Sequence, residues 1–341
     1  MRGIIHTLLR FGTLEVFLIA LILLNIITLY VYLTQRGMTK VTVIFSTLTL
    51  GGIGAFVALC ILRIRGRKRR PNMPLVMVAL VVTIIPFIHV VHGLTLDRII
   101  RYVEIPFYSS AWPAALDGYR IGFMADMHVI SHEDMAVVAD NLNDRALDML
   151  LLGGDFSMRD GHYAGTLQEI ANIRTTDGIF GVDGNHDNAV RLFRGMIYHG
   201  MTPLDNSGIY VRPGFYLAGV ADKWRRIPNI ERAIESADTD DFILLLSHNP
   251  DVVMYQSTQW VDLVLTGHLH GGQITFFGYP IYLLAGSITN YSDNFPPGFS
   301  ATPDGVPLFN TRGVGVHRRA PRVFARPEVI IFTMHHYHAP Q

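Results

Sequence analysis

The sequence predicts a layered α/β domain that follows three transmembrane helices, and two observations support this prediction. Half of the 341 residues are apolar and the mean hydropathy is +0.29, with the long apolar runs confined to the first hundred residues. From about residue 118, short apolar runs that end in glycine, aspartate or histidine alternate with amphipathic stretches. We therefore predict a membrane domain over 1–93, a linker over 94–117, an α/β domain over 118–335 and a C-terminal tail over 336–341.

Three apolar runs have the length of transmembrane helices: residues 14–33, 41–62 and 74–91. About 20 apolar residues are needed to cross the hydrocarbon core of a bilayer. A signal peptide explains one such run at most, and no small-residue cleavage site follows the first run. Buried core helices are the other alternative to three membrane spans.

Charged residues between these runs predict how the chain is oriented in the membrane. The loop over 63–70, RIRGRKRR, carries six basic residues and no acid, whereas the loop before the second run holds only Arg36 and Lys40. The positive-inside rule places the loop over 63–70 in the cytoplasm. The sequence thus predicts a multi-pass protein of the inner (cytoplasmic) membrane, with the bilayer as a partner and the α/β domain on the extracytoplasmic side.

Charge and cysteine content exclude several classes of function. Basic and acidic residues both number 28, so no net field attracts nucleic acid, and no nucleic-acid partner is expected. The single cysteine, Cys60, excludes a disulfide framework and any zinc site built on thiolates. Histidine is plentiful, with 15 residues, and is therefore the candidate nitrogen donor.

Six apolar segments of the α/β domain are typical of buried strands: YRIGFMAD, ALDMLLLGGD, DGIFGVDGN, FYLAGVAD, DFILLLSH and VDLVLTGH. Helical patterns lie between several of them. The segment SHEDMAVVADNLNDRAL begins with Ser131 and Asp134 in a capping-box-like arrangement, and further helices are predicted near 163–174, 188–199 and 229–237. Buried strands with intervening helices indicate a layered sheet.

Polar residues follow five of these strands. In an open α/β sheet the carboxyl ends of the strands line the ligand crevice, so these five loops are expected to meet. They carry Asp126, His128, Asp155, Asn185, His186, Asp187, His248, His268 and His270. Imidazole and carboxylate donors without thiolate suit manganese, iron or zinc rather than calcium. Such a set exceeds what one tetrahedral ion needs, and two ions that share a carboxylate would use seven donors.

Each motif also has a purely structural explanation. An Asp-x-His motif is commonly a hydrogen-bonded turn, an Asn-His-Asp motif is often a capped helix start, and a His-x-His motif can be a satisfied pair. In an extended segment residues i and i+2 point the same way, so each of the two spaced pairs could aim both donors at one centre. The occurrence of all the motifs in order, each at a strand end, favours a metal site.

The order of these motifs resembles that of the calcineurin-like metallophosphoesterases. That family has D-x-H, G-D, G-N-H-D, H and G-H-x-H blocks, and this chain has ADMH, GGD, GNHD, LSHNPD and GHLHGG over about 126–270. The segments GGQ, NTRGVGV and RPEVIIF continue the resemblance. It looks closest to a bacterial membrane-associated branch that includes enzymes resembling UDP-2,3-diacylglucosamine pyrophosphatases. The resemblance implies a layered αββα metallophosphoesterase sandwich.

The resemblance also implies roles for the site residues. Asp155 would bridge two divalent ions, one bound by Asp126, His128 and His270 and the other by Asn185, His248 and His268. His186 would be the general acid that faces the leaving group, Asp187 would orient that loop, and Arg312 would lie beside the ligands or the substrate. Manganese is the first expectation for both ions, with iron or zinc as alternatives. The family's usual serine, glycine and leucine are replaced here by Ala125, Ile130 and Phe156.

The activity implied is hydrolysis of a phosphodiester or pyrophosphate bond by a hydroxide that bridges the two ions. A metallo-β-lactamase-like site would need an aspartate where Gly272 stands, so it is set aside. A non-catalytic, membrane-tethered scaffold of the same fold is the alternative. The predicted anchor favours a phosphoester of a lipid or of the cell envelope. The apolar segment 275–284 is interpreted as a core strand, with a lipid-facing wall as the alternative.

Overall fold

The computed structural model describes residues 99–128, 130–157, 163–280, 288–315 and 322–337, together with positions 88, 92, 95 and 282. The predicted membrane runs 14–33 and 41–62 lie outside the described residues, as does the run 74–91 except for position 88. Within the part of the chain that is described, no helix is both long enough and apolar enough to cross a membrane. The compact unit that carries the fold begins at Asp97.

The described residues form fourteen strands and four α-helices. The strands are β1 Arg101–Ser109, β2 Tyr119–Met124, β3 Leu147–Leu152, β4 Thr175–Gly181, β5 Thr202–Pro203, β6 Ser207–Arg212, β7 Phe215–Gly219, β8 Phe242–Leu246, β9 Leu263–Thr266, β10 Thr275–Phe276, β11 Tyr279–Pro280, β12 Gly298–Ala301, β13 Pro307–Asn310 and β14 Glu328–His336. The helices are α1 His132–Asn143, α2 Ala164–Ala171, α3 Ala189–Tyr198 and α4 Ile230–Ala233.

Twelve of these strands form two six-stranded sheets. The first has the order β1-β14-β2-β3-β4-β5 and the second has the order β12-β13-β9-β8-β7-β6. In the first sheet β2 to β5 are parallel, and β14 is antiparallel to β2. In the second sheet β7, β8, β9 and β13 are parallel. The carboxyl ends of the central strands therefore lie at one edge of each sheet.

Apolar side chains fill three layers around these sheets. The two sheets face each other across a core that includes Phe123, Leu151, Leu246 and Phe332, all fully buried or nearly so. Helices α1 to α3 pack on the outer face of the first sheet, and α4 with the 3₁₀ turn Pro250–Met254 covers the outer face of the second. The result is the predicted αββα layered sandwich.

The six predicted strands are confirmed as β2, β3, β4, β7, β8 and β9. β2, β3 and β8 each contain a run of four or five consecutive buried apolar residues, which suits a parallel strand covered on both faces. Helix α1 begins after Ser131, whose hydroxyl accepts a hydrogen bond from the amide of Asp134 at 3.0 Å, as the cap pattern predicts. The helix predicted over 229–237 is shorter than expected and ends at Ala233.

The structure differs from the predicted boundaries at both ends of the domain. The predicted linker over 94–117 contains β1, which pairs in parallel with β14 along its whole length. Pro106 lies within β1, and a proline is tolerated there because β1 is the edge strand. At the other end β14 continues to His336, whose amide donates to the Asp117 carboxylate at 2.9 Å. The predicted tail thus begins inside a strand.

The segment 275–284 is not a core strand where it is described. Strands β10 and β11 pair only with each other, as a short antiparallel hairpin outside both large sheets. The sequence did not distinguish these cases because a short apolar run is compatible with a buried strand and with an exposed hairpin.

Candidate metal centre

Two groups of potential metal ligands meet where the carboxyl ends of the two sheets come together. Cluster A comprises Asp126, His128 and His270, and one ligand atom from each lies within 4.8 Å of the others. The Nε2 atoms of His128 and His270 are 3.0 Å apart. They lie 3.9 and 3.4 Å from Oδ1 of Asp126. All three side chains are buried, so water does not screen their charges.

Cluster B comprises Asp155, His248 and His268, which satisfy the same 4.8 Å criterion and are also buried. Nε2 of His248 lies 3.2 Å from Oδ2 of Asp155 and 3.2 Å from Nδ1 of His268. The amide oxygen of Asn185 is 3.2 Å from the same His248 nitrogen. Cluster B and Asn185 thus present two imidazoles, a carboxylate and an amide oxygen to one point.

Asp155, a member of cluster B, also faces cluster A. Its Oδ2 atom is 3.5 Å from Nε2 of His128 in cluster A and 3.2 Å from Nε2 of His248 in cluster B. The structure therefore brings together all seven predicted ligands and gives Asp155 the central position that a bridging carboxylate requires.

Five of these residues have an unusual backbone conformation, with φ of 56° at Asp126, 38° at His128, 56° at Asp155, 72° at His268 and 52° at His270. Residues other than glycine rarely adopt positive φ, and such conformations are found where surrounding structure enforces them. The expectation that the spaced pairs are aimed by extended backbone is therefore wrong. Left-handed turns aim them, and the sequence gives no sign of these turns because the residues concerned are not glycines.

Glycine is required where the loops touch. A β-carbon on Gly184 would collide with the carboxylate of Asp155, and one on Gly267 would lie 2.7 Å from Oδ2 of Asp126. The glycines that precede the Asn-His-Asp and His-x-His motifs therefore allow the ligand loops to approach each other.

Asp187 ties together the loops that follow β3 and β4. Its Oδ2 atom accepts hydrogen bonds from the amides of Asp155 at 2.8 Å and Gly184 at 2.9 Å, and its Oδ1 atom accepts one from Phe156 at 3.0 Å. The predicted role of Asp187 in orienting the loop agrees with these contacts.

His186 lies beside the clusters and belongs to neither of them. Its amide donates to Oδ1 of Asp155 at 2.8 Å, and its ring stands edge-on to that of His128 with centroids 5.3 Å apart. The side chain is partly exposed, unlike the seven candidate ligands. The imidazole is therefore placed at the mouth of the site.

Two arginines from the C-terminal part of the domain contact His270 or the glycine that follows it. Arg312 forms an ion pair with Glu328 at 2.9 Å, and its stem packs against Gly271. Arg322 is buried, donates to the carbonyl of His270 at 3.2 Å and lies 3.5 Å from the Nδ1 atom of the same residue. Sequence reasoning missed Arg322 because a single buried arginine has no spacing signal.

The loop after β7 also reaches the site and was not predicted to do so. The ring of Trp224 lies edge-on to that of His268 at 4.7 Å, and Nε of Arg225 donates to the carbonyl of Asn185 at 2.6 Å. Both residues are exposed. Since β7 is one of the predicted parallel strands, the strand-end rule identifies this loop even though it contains no ligand motif.

Burial and neighbouring charges shift the pKa values of the site residues. Burial raises the pKa of Asp126 to about 7, against the attraction of His248. Burial also acts to raise the pKa of Asp155, but positive His248 outweighs it and holds that pKa well below its usual range. Burial and the charge of His248 lower the pKa of His268. Asp155 and His248 thus form an ion pair, with Nε2 of His248 3.2 Å from Oδ2 of Asp155.

The donor geometry fits divalent cations. The rings of His128 and His270 are stacked, with centroids 4.8 Å apart and planes inclined by 9°. The two Nε2 atoms are 3.0 Å apart, within hydrogen-bonding distance of each other. Both also lie within 4.8 Å of a carboxylate oxygen of Asp126, so the three donors are close enough to be ligands of one ion.

Comparison with known proteins agrees with this geometry. Residues 119–272 match the family model of the calcineurin-like phosphoesterases. The chain carries a calcineurin-like metallophosphoesterase domain. Metallophosphoesterases are hydrolases that act on phosphoester bonds, and the domain belongs to this class of enzyme.

Individual relatives of this metallophosphoesterase domain come from several bacteria. The chain is 29% identical to a metallophosphoesterase of Helicobacter pylori strain J99 over 187 residues, which are 48% of this chain and 47% of that protein. It is 26% identical to the Bacillus subtilis metallophosphoesterase YkuE over 256 residues, 70% of this chain and 86% of that protein. It is 27% identical to the Escherichia coli phosphodiesterase YaeI over 234 residues, 63% of this chain and 82% of that protein. The chain therefore spans about half the length of the H. pylori relative.

Proposed function

We propose that the protein is a membrane-anchored, binuclear metal-dependent phosphoesterase that hydrolyses phosphodiester or pyrophosphate bonds. The observation that carries the proposal is the pair of buried clusters with Asp155 between them. In the proposal the apolar runs within 1–93 anchor the chain in the inner membrane, and the metallophosphoesterase domain lies on the extracytoplasmic side.

The charge of the site favours an anionic substrate. Two divalent ions contribute +4, and the carboxylates of Asp126 and Asp155 contribute −2, which leaves about +2. When bound, two such ions supply Lewis acidity that polarises a phosphoryl group and acidifies water. Asp126, Asp155 and the four histidines of the clusters would hold the ions, and Asn185 would add an amide oxygen at cluster B.

His186 is placed to handle the proton of the leaving group. The hydrogen bond from its backbone amide to the Asp155 carboxylate fixes the backbone of the loop. Its imidazole lies at the mouth of the site, outside both clusters. In the proposed reaction the imidazole donates a proton to the departing oxygen as general acid. Asp187 keeps this loop in register with the Asp155 loop through its three accepted hydrogen bonds.

Two further features support a catalytic role and a diester substrate. A non-catalytic scaffold of the same fold does not need metal ligands. Here all seven candidate ligands lie together, six in clusters A and B and the seventh, Asn185, beside His248. The similar E. coli protein YaeI is named a phosphodiesterase. We propose manganese as the metal, with iron or zinc as alternatives, because the donors are imidazole and carboxylate without thiolate.

The test is an assay of purified full-length protein with bis(p-nitrophenyl) phosphate after loading with manganese, iron or zinc. We expect two ions per chain and metal-dependent hydrolysis. Asp155→Asn is expected to lower both the metal content and the activity. His199→Asn is the matched control, since His199 lies at the end of α3 and belongs to neither cluster. Stoichiometric metal binding without hydrolysis of any phosphoester would leave the scaffold as the better description.

A further inference from the structure

The hairpin of β10 and β11 exposes three aromatic side chains. Phe276 and Phe277 are 50% exposed and Tyr279 is 52% exposed, and the six residues of the hairpin, TFFGYP, carry no charge. The rings of Phe276 and Phe277 are 5.0 Å apart, and that of Phe277 lies 5.2 Å from Phe324. Single exposed apolar residues are ordinary, but a contiguous aromatic group of this kind marks an interaction surface.

The turn at the tip of the hairpin is unfavourable for the residue that occupies it. Phe276 pairs with Tyr279, so Phe277 and Gly278 form a two-residue turn, and both have positive φ, 50° and 89°. This is the conformation of a type I′ turn, in which asparagine followed by glycine is preferred. A phenylalanine with positive φ is a conformational outlier. The aromatic ring of Phe277 therefore occupies the tip despite an unfavourable backbone conformation, which indicates that the ring itself has a function.

The hairpin and the start of the domain are both hydrogen-bonded to the short segment 323–327. The amide and the hydroxyl of Thr275 both donate to the carbonyl of Val323, at 2.9 and 2.8 Å. A few residues later, Arg326 donates to the carbonyl of Ile99 at 3.2 Å, and the carbonyl of Pro327 accepts from the amide of Arg101 at 2.9 Å. The hairpin and the beginning of β1 therefore lie close together, joined by the segment 323–327.

This part of the domain is also the edge that carries the metal centre. Strand β14 is parallel to β1 and antiparallel to β2, so β1 and β14 begin where β2 ends, next to Asp126. His270 of cluster A precedes the hairpin by only a few residues, and buried Arg322 contacts His270 immediately before the segment that holds the hairpin. The start of β1, the aromatic hairpin and cluster A thus lie at the same edge of the domain.

The chain between the third apolar run and β1 is short. The third apolar run ends at residue 91 and β1 begins at Arg101. The nine residues between them span at most about 32 Å when fully extended. In the proposed membrane-anchored protein, this length limits how far Arg101, the first residue of β1, can lie from the end of the third apolar run.

We propose that the hairpin over 275–280 inserts its aromatic tip into the interface of the lipid bilayer and thereby turns the metal centre toward the membrane. The substrate class that follows is a phosphoester lying in the bilayer surface, that is, a lipid phosphodiester or lipid pyrophosphate. This inference rests on the proposed membrane-anchored phosphoesterase. Aromatic side chains favour the headgroup region of a bilayer, and an uncharged tip has no desolvation cost for charges there.

Insertion is tested with full-length protein reconstituted in phosphatidylcholine vesicles that contain brominated acyl chains. The tryptophan in Phe277→Trp is expected to be quenched by bromine, after subtraction of the parent signal, at least twofold more than the tryptophan in Tyr198→Trp. Tyr198 is 85% exposed at the end of α3, which packs beside β5 at the opposite edge of the first sheet from β1. Equal quenching at the two positions would overturn the proposal.

A second variant separates docking from folding. Phe277→Asn places the preferred residue in the type I′ turn, so the melting temperature is expected to stay level or rise. Its kcat/KM is expected to fall at least fivefold for phosphatidyl-p-nitrophenol in vesicles and to change by less than twofold for soluble bis(p-nitrophenyl) phosphate. An undiminished rate on the vesicle substrate would overturn the proposal, as would an equal loss on both substrates.

The two proposals fail in different ways. A parent protein that hydrolyses neither substrate counts against the proposed phosphoesterase activity, and the quenching experiment then decides whether the hairpin inserts. Hydrolysis of the soluble diester together with equal quenching of the two tryptophans retains the enzyme and removes the docking surface.

Discussion

Asp187 offers a sharp test of how the site is held together, because its carboxylate is buried and accepts three backbone N–H bonds from Gly184, Asp155 and Phe156. In Asp187→Asn the amide oxygen can replace Oδ2 and keep two of these bonds. The amide nitrogen then faces the Phe156 N–H, which loses its shorter bond and keeps only the longer 3.3 Å contact with the oxygen at the Oδ2 position. A buried N–H that loses its acceptor costs about 1–3 kcal/mol, and the remaining contact offsets part of this.

The expected loss of stability is measurable. For a domain of this size, 1 kcal/mol corresponds to roughly 2–4 °C in Tm, so a loss of about 2 kcal/mol lowers Tm by roughly 4–8 °C. The same change loosens the loops that carry Asp155 and Asn185. Loss of a contact that supports a ligand typically weakens metal binding by about 10–100-fold, and we expect the affinity for manganese to fall in that range.

The assay is thermal unfolding of detergent-solubilised full-length protein, together with calorimetric titration of manganese. Asp205→Asn is the control, because its partly exposed carboxylate pairs with Arg226 at the surface and its loss is expected to cost about 1 kcal/mol or less. An Asp187→Asn protein with the Tm and the manganese affinity of the parent would refute the assignment of Asp187 as the residue that joins the two loops.

Three further changes test the site. His186→Ala is expected to lower kcat by about 10²–10⁴-fold with both metals retained, as for loss of a general acid; loss of a metal on analysis of the purified variant would instead make His186 a ligand. Because burial raises the pKa of Asp126 to about 7, its proton must leave before a cation binds. Burial acts to lower the pKa of His248, but the charge of Asp155 raises it, so His248 must lose its proton as well. The apparent affinity for manganese should therefore fall as the pH drops through 7 and continue to rise above it; a flat calorimetric profile from pH 5 to 8 would contradict this. Arg322→Met removes the hydrogen bonds to the carbonyls of His270 and Gly315, so cluster A is expected to bind metal about 10–100-fold more weakly; an unchanged titration would show that Arg322 has no part in positioning His270.

The candidate site was largely predictable because its chemistry restricts residue types. The Asp-x-His, Asn-His-Asp and His-x-His motifs follow buried strands, and a parallel sheet places the ends of its strands at one edge. That argument brought nine polar residues to one edge, and the resemblance to the metallophosphoesterases implied which seven of them are ligands. It did not give their backbone geometry, because Asp126 and His270 adopt left-handed conformations that sequence patterns ascribe to glycine.

The parts that escaped prediction have weaker local signals. Strand β1 contains Pro106 and alternates partly buried with exposed residues, so its sequence resembles a linker. Its strand conformation depends on pairing with β14, which is distant in the sequence. Arg322 acts through its packing against His270 and Gly315, which are distant from one another in the chain. The hairpin over 275–280 was compatible with a core strand because an apolar run does not specify whether its neighbours are protein, water or lipid.

Anomalous scattering from crystals grown with saturating manganese tests the central claim most directly. We predict two peaks of comparable height, one within bonding distance of Asp126, His128 and His270 and one within bonding distance of His248 and His268, with a carboxylate oxygen of Asp155 near each. A single peak, or none, under these conditions would contradict a binuclear centre.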